Sequence, residues 1–294
     1  MPLEPLLQLE RFMRTRMISE EEINRFHEDG FLIIEDFLDE EVLQKAIPRF
    51  ETIFSGEFET GVAPDKVKWL KGRDPEDISR SMCNIWKADR VLASIILAEK
   101  IGFTASKLMS WPGARCNQDS IIWVPPGAGT TAFHQDNSYQ DWHEPGGVVT
   151  CWIPLEKTTS DGGTIEYARG SQKWSLSPRV AQFSAPENYR AELDAAAKIA
   201  GAKVDIISIE LSRGGVVFHH GAVWHGANFN LSAGSRYTLA THCMSSESVF
   251  HPTIFSPVFN HYKKFNDLSM DESFFPVIWA EGGKRSAFIK DYIR

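Results

Sequence analysis

Phe133-His134-Gln135-Asp136 is the stretch on which the reading of this chain turns, entered through the turn-forming run Pro126-Gly127-Ala128-Gly129-Thr130-Thr131-Ala132. Side chains alternate across a strand with period two, so a His and an Asp two positions apart are expected on one face. A third ligand is offered far downstream by His225, at the end of the apolar run Gly214-Gly215-Val216-Val217-Phe218-His219-His220-Gly221-Ala222-Val223-Trp224. Two imidazoles and one carboxylate make a facial triad, the donor set of non-heme Fe(II) oxygenases, which leaves the opposite metal positions open. Eleven residues beyond His225, Arg236-Tyr237-Thr238-Leu239-Ala240-Thr241 reads as a returning strand. A buried arginine is costly unless a carboxylate pairs with it. An organic diacid held at its other end by the metal would supply that partner, and so would a local Asp or Glu.

Working outward, the texture on either side of these residues differs. From about Asn117 the chain carries short β-branched and aromatic runs, Ser120-Ile121-Ile122-Trp123-Val124, Val148-Val149-Thr150-Cys151-Trp152-Ile153 and Gly215-Val216-Val217-Phe218. Turns at Pro125-Pro126-Gly127, Asp161-Gly162-Gly163 and Ala233-Gly234 separate them, which predicts a barrel or jelly roll. Before that point helical signals dominate. Ser19-Glu20-Glu21-Glu22 is a capping box, with Ile18 and Ile23 spaced as a hydrophobic staple. Asp29-Gly30 ends that helix before a strand-length run, Phe31-Leu32-Ile33-Ile34, and Asp39 is expected to cap a second helix to Phe50, bent or cut short at Pro48. Residues 54–78 read as a loop, 85–110 as helix again, and 186–200 as a helical insert. The fold class expected is mainly β with a helical N-terminal layer, a double-stranded β-helix of the jelly-roll or cupin kind. One domain is expected over residues 1–294: a helical region to about 110, a jelly-roll core over about 115–250, and a packed tail over 251–294.

Composition narrows the partners. A net charge of -8 argues against nucleic acid and anionic membrane. Cys83, Cys116, Cys151 and Cys243 are too far apart for a CxxC pair and read as reduced thiols. Met1-Pro2-Leu3-Glu4 lacks the basic and apolar regions of a signal peptide, and no run approaches the roughly 20 apolar residues of a membrane span. A cytoplasmic protein acting on a small molecule is therefore expected, as monomer or homodimer, and the acceptor pattern Asn230-Leu231-Ser232 is not read as glycosylated.

The motifs together resemble the phytanoyl-CoA dioxygenase family of Fe(II)- and 2-oxoglutarate-dependent oxygenases. The resemblance spans about residues 17–285. Its residues are Phe26-His27-Glu28-Asp29-Gly30-Phe31, His134-Gln135-Asp136, Trp152-Ile153-Pro154-Leu155, Gly162-Gly163-Thr164, Gly170-Ser171-Gln172-Lys173, His220-Gly221 ahead of His225, Asn230 with Ser232, Arg236, and Asp271-Glu272-Ser273-Phe274-Phe275-Pro276. It implies Fe(II) held by His134, Asp136 and His225, 2-oxoglutarate salt-bridged to Arg236, dioxygen at the open position, and Trp152, Thr164 and Gln135 beside the co-substrate. Two departures stand out: Ala227 where relatives often have Ser, and Trp123 where many have Lys. Asp136 itself argues against halogenation, for which related enzymes carry a small residue there. Of the adjacent pair, His220 is expected to face the site and His219 to face outward. His27, His242, His251 and His261 read as ordinary core or surface residues. Tyr139, Trp142 and His143, directly after the ligands, are the expected substrate contacts, and Trp224 is expected to pack in the shell. Lys66, Lys68, Lys71 and Arg73 could reach an anionic substrate or simply solvate a loop, and the second reading is preferred. The resemblance implies oxidation, by default hydroxylation, of an unactivated carbon with release of succinate and CO2. Desaturation, epoxidation, cyclisation or epimerisation would use the same ligands. The rival of another class is a zinc-binding β-barrel with no use for 2-oxoglutarate.

Overall fold

The computed structural model describes residues 18–293. The reading of Met1 to Glu4 as free of a signal peptide, and the first residues of the expected helical region, lie outside them. In chain order the elements are α1 (Glu20–Asp29), β1 (Phe31–Ile34), α2 (Glu40–Phe54), β2 (Lys66–Val67), β3 (Arg80–Cys83), α3 (Arg90–Ile96), α4 (Glu99–Met109), β4 (Gly113–Val124), β5 (Thr131–His134), β6 (His143–Glu144), β7 (Val149–Pro154), β8 (Ile165–Ala168), α5 (Ala191–Ala200), β9 (Ile206–Ser208), β10 (Val216–His220), β11 (His225–Ala227), β12 (Arg236–Ser245), β13 (Val249–Phe250), β14 (Val277–Ala280) and α6 (Ile289–Tyr292).

The strands form a jelly roll. The larger sheet runs β1-β10-β7-β12-β4-β3-β2, with β14 also on β4, and the smaller runs β5-β11-β8-β9. All the pairings are antiparallel. One face of the larger sheet is buried under the helices: Cys116, Ile121, Trp123, Val149, Cys151, Ile153, Val216, Phe218, Leu239 and Cys243 share a core with Phe26, Leu43, Phe50, Leu92, Ile95, Ile101 and Leu108. Because residues alternate, the opposite face of β12, starting at Arg236 and Thr238 and reaching His242, turns into the barrel. The same parity sends Thr150 and Trp152 of β7, and Val217 and His219 of β10, inward.

Local signals explain where the elements begin. The Ser19 capping box is formed on both sides, and Gly30, at φ +88°, closes α1 in the left-handed conformation that suits glycine. Asp39 precedes α2 but makes no side-chain cap, and the helix continues through Pro48 to Phe54 rather than stopping at Phe50. Burial of Leu43, Ala46, Phe50, Ile53 and Phe54 on one stripe outweighs the one hydrogen bond that proline removes. The insert likewise starts at Ala191, the residues from Pro186 being irregular. In the C-terminal part of the chain β14 pairs with β4 and Phe275 is buried. All four cysteines are free and buried, including the register neighbours Cys116 and Cys243. No helix among the described residues is long and apolar enough to cross a membrane.

Candidate metal centre

His134 is the last residue of β5, and Asp136 lies two residues past the strand's end, at the start of a short 3-10 turn rather than within the strand itself. His225 opens β11, directly opposite His134 in the β5–β11 register and opposite Tyr167 on β8. Gly226 lets the two strands close at this point, since a Cβ there would stand 2.8 Å from the Phe133 ring and 2.9 Å from the Thr131 carbonyl. The result is one cluster among the described residues: one ligand atom each from His134, Asp136 and His225, all within 4.8 Å of one another, all three residues buried. Asp136 Oδ1 lies 3.6 Å from Nε2 of both histidines.

The two imidazoles are oriented alike. His134 Nδ1 sits 2.9 Å from the Ala132 carbonyl and His225 Nδ1 3.1 Å from that of Val223. A carbonyl only accepts, so Nδ1 carries the hydrogen and Nε2 keeps its lone pair for a metal. Burial, and then the His134 imidazole nearby, hold the His225 pKa well below 6.5, which keeps that ring neutral. Burial alone would raise the Asp136 pKa. The surrounding histidines, His225 and His242 foremost, and the hydrogen bond from His219 outweigh it and hold the group well below 3.8, hence ionised.

The outer oxygen of Asp136 is held by residues that the sequence reading placed elsewhere. Thr150 Oγ1 donates to Oδ2 at 2.7 Å, and His219 Nε2 lies 3.1 Å from the same atom. His219 therefore faces inward and His220 does not: His220 Nδ1 accepts the Ala222 N–H at 3.0 Å. The Val217 parity on β10 decides this, and the apolar residues on both faces of that strand hid it. With Nε2–H given to Asp136, His219 Nδ1 accepts from the Tyr167 hydroxyl at 2.8 Å. His242 belongs here too, its Nδ1 2.8 Å from Thr150 Oγ1 and 3.4 Å from Asp136 Oδ2. Only strand register could have revealed it, since Thr150 stands opposite both His219 and His242.

Arg236 begins β12 opposite Val124. Among the described residues no carboxylate pairs with it, and its Nε is buried without an acceptor. Burial lowers its pKa to about 10, far above neutrality, so an unpaired cation is lodged in the wall. Thr238, two residues on, also has a buried hydroxyl with no partner. Asn230 and Ser232 set the approach to this strand: Asn230 Nδ2 donates to the carbonyls of Val124 and Gly234, and the Ser232 hydroxyl donates to Asn230 Oδ1.

The other expected contacts divide. Trp152 lies inside the barrel with Phe31, Tyr167 and Val217. The Thr164 hydroxyl donates to the Ile209 carbonyl at 2.7 Å. Gln135 points away from the ligands, and both ends of its amide are used in the scaffold, donating to the Ala222 carbonyl and accepting from Ser177 N–H. Tyr139 stands by the metal centre, its ring 6.0 Å from His134, and Phe183, absent from the sequence reading, is closer at 4.5 Å. Trp142 is not a pocket wall. It is the fully buried centre of a second core with Met244, Phe250, Phe259, Met270 and Phe275. His143 is buried beside it, its Nδ1 donating to Pro145 O, its Nε2 near Asn117, and its pKa lowered to about 4 by burial. Trp224 packs with Phe133, Ala168 and Leu193.

The phytanoyl-CoA dioxygenase (PhyH) family model matches residues 26–238, a span that contains the triad and Arg236. The chain belongs to this family. Its enzymes depend on iron and 2-oxoglutarate, and the His-Asp-His cluster and the orphaned Arg236 fit those two groups. Phytanoyl-CoA dioxygenase of Arabidopsis thaliana is 23% identical over 265 residues, 79% of this chain and 91% of the relative. Phytanoyl-CoA dioxygenase domain-containing protein 1 of Bos taurus is 24% identical over 82% of this chain and 93% of its own length. Among solved structures, the α-ketoglutarate-dependent carbocyclase SnoK from nogalamycin biosynthesis superposes with a TM-score of 0.70 at 19% identity, covering 90% of this chain and 97% of that one. EctD from S. alaskensis, solved with 2-oxoglutarate and 5-hydroxyectoine, gives 0.65 at 16% identity over 80% and 78%.

Proposed function

We propose that this family member hydroxylates an unactivated carbon of a small organic molecule, with Fe(II) held by His134, Asp136 and His225 and the distal carboxylate of 2-oxoglutarate held by Arg236. The observation that carries the reading is the unpaired guanidinium of half-buried Arg236, its Nε buried without an acceptor, on the wall of a barrel that also holds a His-Asp-His cluster. A structural arginine would have a protein carboxylate, and a zinc barrel would have no use for the charge. When bound, iron and 2-oxoglutarate supply the oxidising power for breaking a C–H bond.

The chain's own residues supply position and charge. The two imidazoles present Nε2, and Asp136 presents Oδ1 while Thr150 and His219 fix Oδ2. Arg236 orients the co-substrate by pairing with its far carboxylate. Thr238, two residues from Arg236 on the same face of β12, has an unpartnered hydroxyl that would supply the hydrogen bond a serine at Ala227 gives in relatives. Tyr139 and Phe183 form the aromatic side of the substrate space, and Trp152, packed with Phe31 and Tyr167 inside the barrel, belongs to the co-substrate side. An intact Asp136 supports oxygen transfer over halogenation. Anaerobic addition of Fe(II) and 2-oxoglutarate is expected to give the weak visible absorption band of the chelate, and a metabolite panel is expected to contain compounds that stimulate succinate release. A protein that gives neither the band nor any 2-oxoglutarate consumption is not this enzyme.

A further inference from the structure

The barrel has an open side between two sheet edges. One edge is β2, the last strand of the larger sheet. The other is the 183–185 segment, which extends the smaller sheet beyond β5: Ala132 N–H bonds the Phe183 carbonyl and Ala185 N–H bonds that of Thr130. Lys68 directly follows β2, its backbone N–H bonding the Ser81 carbonyl at 3.0 Å. Lys66 faces Cys83 and Val67 faces Met82, so Lys68 falls opposite Ser81. Ser81, Ile122 and Thr238 are in turn aligned across β3, β4 and β12. Their neighbours Met82, Ile121 and Leu239 belong to the core under the helices, so this row, Lys68 included, is on the barrel's inner face. The Lys68 side chain crosses the opening: Nζ lies 5.6 Å from the centre of the Phe183 ring. That ring is 4.5 Å from the His134 imidazole and 5.8 Å from Tyr139. One aromatic ring separates the ammonium from the metal centre.

Lys68 has no anion. Among the described residues nothing accepts a hydrogen bond from its Nζ, whereas Arg179, the other cation by Tyr139, is engaged by Asp141 and the Ser138 carbonyl. Lys68 is exposed at the opening, its partial desolvation lowers its pKa, and no carboxylate offsets that. An ammonium placed against an aromatic face at an opening gains most from an incoming negative group.

We propose that Lys68 receives a carboxylate of the organic substrate, whose apolar body lies along Phe183 and Tyr139 with its reacting carbon towards the metal centre. A single ammonium, with no arginine fork beside it, suits a monoanion better than a phosphate. The co-substrate has its own cation in Arg236, three strands away. This rests on the oxygenase reading and extends it from reaction class to substrate class.

The test is calorimetric binding of aryl- and alkylacetic acids, each paired with its neutral primary amide, to protein loaded anaerobically with Fe(II) and 2-oxoglutarate. At least one acid is expected to bind about tenfold tighter than its amide. Lys68→Met is expected to bring that pair to within about twofold, Lys68→Arg to keep most of the preference, and Lys71→Met on the same loop to change nothing. The proposal is overturned if no acid outbinds its amide, or if the preference survives Lys68→Met. It is also overturned if Lys68→Met weakens 2-oxoglutarate as much as the acids, which assigns the ammonium to the co-substrate. If the protein takes up no 2-oxoglutarate, the oxygenase reading fails, and the acid–amide comparison on metal-free protein still decides the role of Lys68.

Discussion

The two walls of the barrel build the metal centre by different means. The smaller sheet supplies His134 and His225, and each is steadied by the carbonyl two residues before it, Ala132 and Val223. The larger sheet supplies no ligand to the cluster but fixes Asp136 from a distance, through Thr150, His219 and His242, 14, 83 and 106 positions along the chain. Local geometry orients the imidazoles, and tertiary pairing orients the carboxylate. The first wall can be disturbed by one residue at a time. The second works only if β7, β10 and β12 are in register.

The largest effect expected from either wall is loss of a ligand. His225→Ala, and Asp136→Ala equally, should abolish Fe(II) binding and reduce 2-oxoglutarate turnover to background, read by metal analysis and succinate release. Near-normal turnover in either variant would break the comparison at its root. Next in size is a residue that belongs to neither wall. Trp142→Ala opens the core formed with Phe250, Phe259 and Phe275 and should cost about 3–5 kcal/mol in denaturant unfolding. Any of that variant still folded should keep wild-type substrate preference, the opposite of what a pocket contact would give.

How far each wall was legible follows from the same contrast. His134, Asp136, His225 and Arg236 were readable because each sits at a strand end beside a turn, and strand ends are marked locally by Gly, Pro and Asn. The Ser19 capping box and the Gly30 stop were legible for the same reason. His219 and His220 were read in reverse because β10 is apolar on both faces, one side meeting the helices and the other the barrel, so period two gave no parity. His242 looked ordinary because its meaning depends on Thr150 standing between it and His219, a fact of register rather than of sequence spacing. Trp142 was misplaced for a related reason: its partners at 250, 259 and 275 come from the tail, which no local pattern ties to residue 142.

Arg236 lets the comparison be sharpened within the larger sheet. Arg236→Met keeps the stem and removes the charge, and should raise the KM for 2-oxoglutarate roughly ten- to hundredfold, the equivalent of one charged hydrogen-bonded pair at about 1.5–3 kcal/mol. Fe(II) affinity in the absence of 2-oxoglutarate should be unchanged. If metal affinity falls as well, Arg236 is part of what holds the triad together and the functions of the wall are not separable.

Thr150→Val is expected to have the smallest effect and to be the most telling. The substitution keeps shape and β propensity and removes only the hydroxyl, which donates to Asp136 Oδ2 and accepts from His242. Asp136 would then keep the hydrogen bond from His219 on its outer oxygen and the more distant His242 Nδ1 at 3.4 Å, which would itself lose its nearest acceptor. Loss of such an outer contact costs about tenfold in metal affinity at the low end of what is typical. Fe(II) titration should therefore show a weakening of about that size, with unfolding little changed and with His219→Gln in the same background producing less than the product of the two single effects, because both residues hold one oxygen. Fully multiplicative losses would mean that Thr150 and His219 act on different features of the site, and the larger sheet would then be a set of separate supports instead of one clamp.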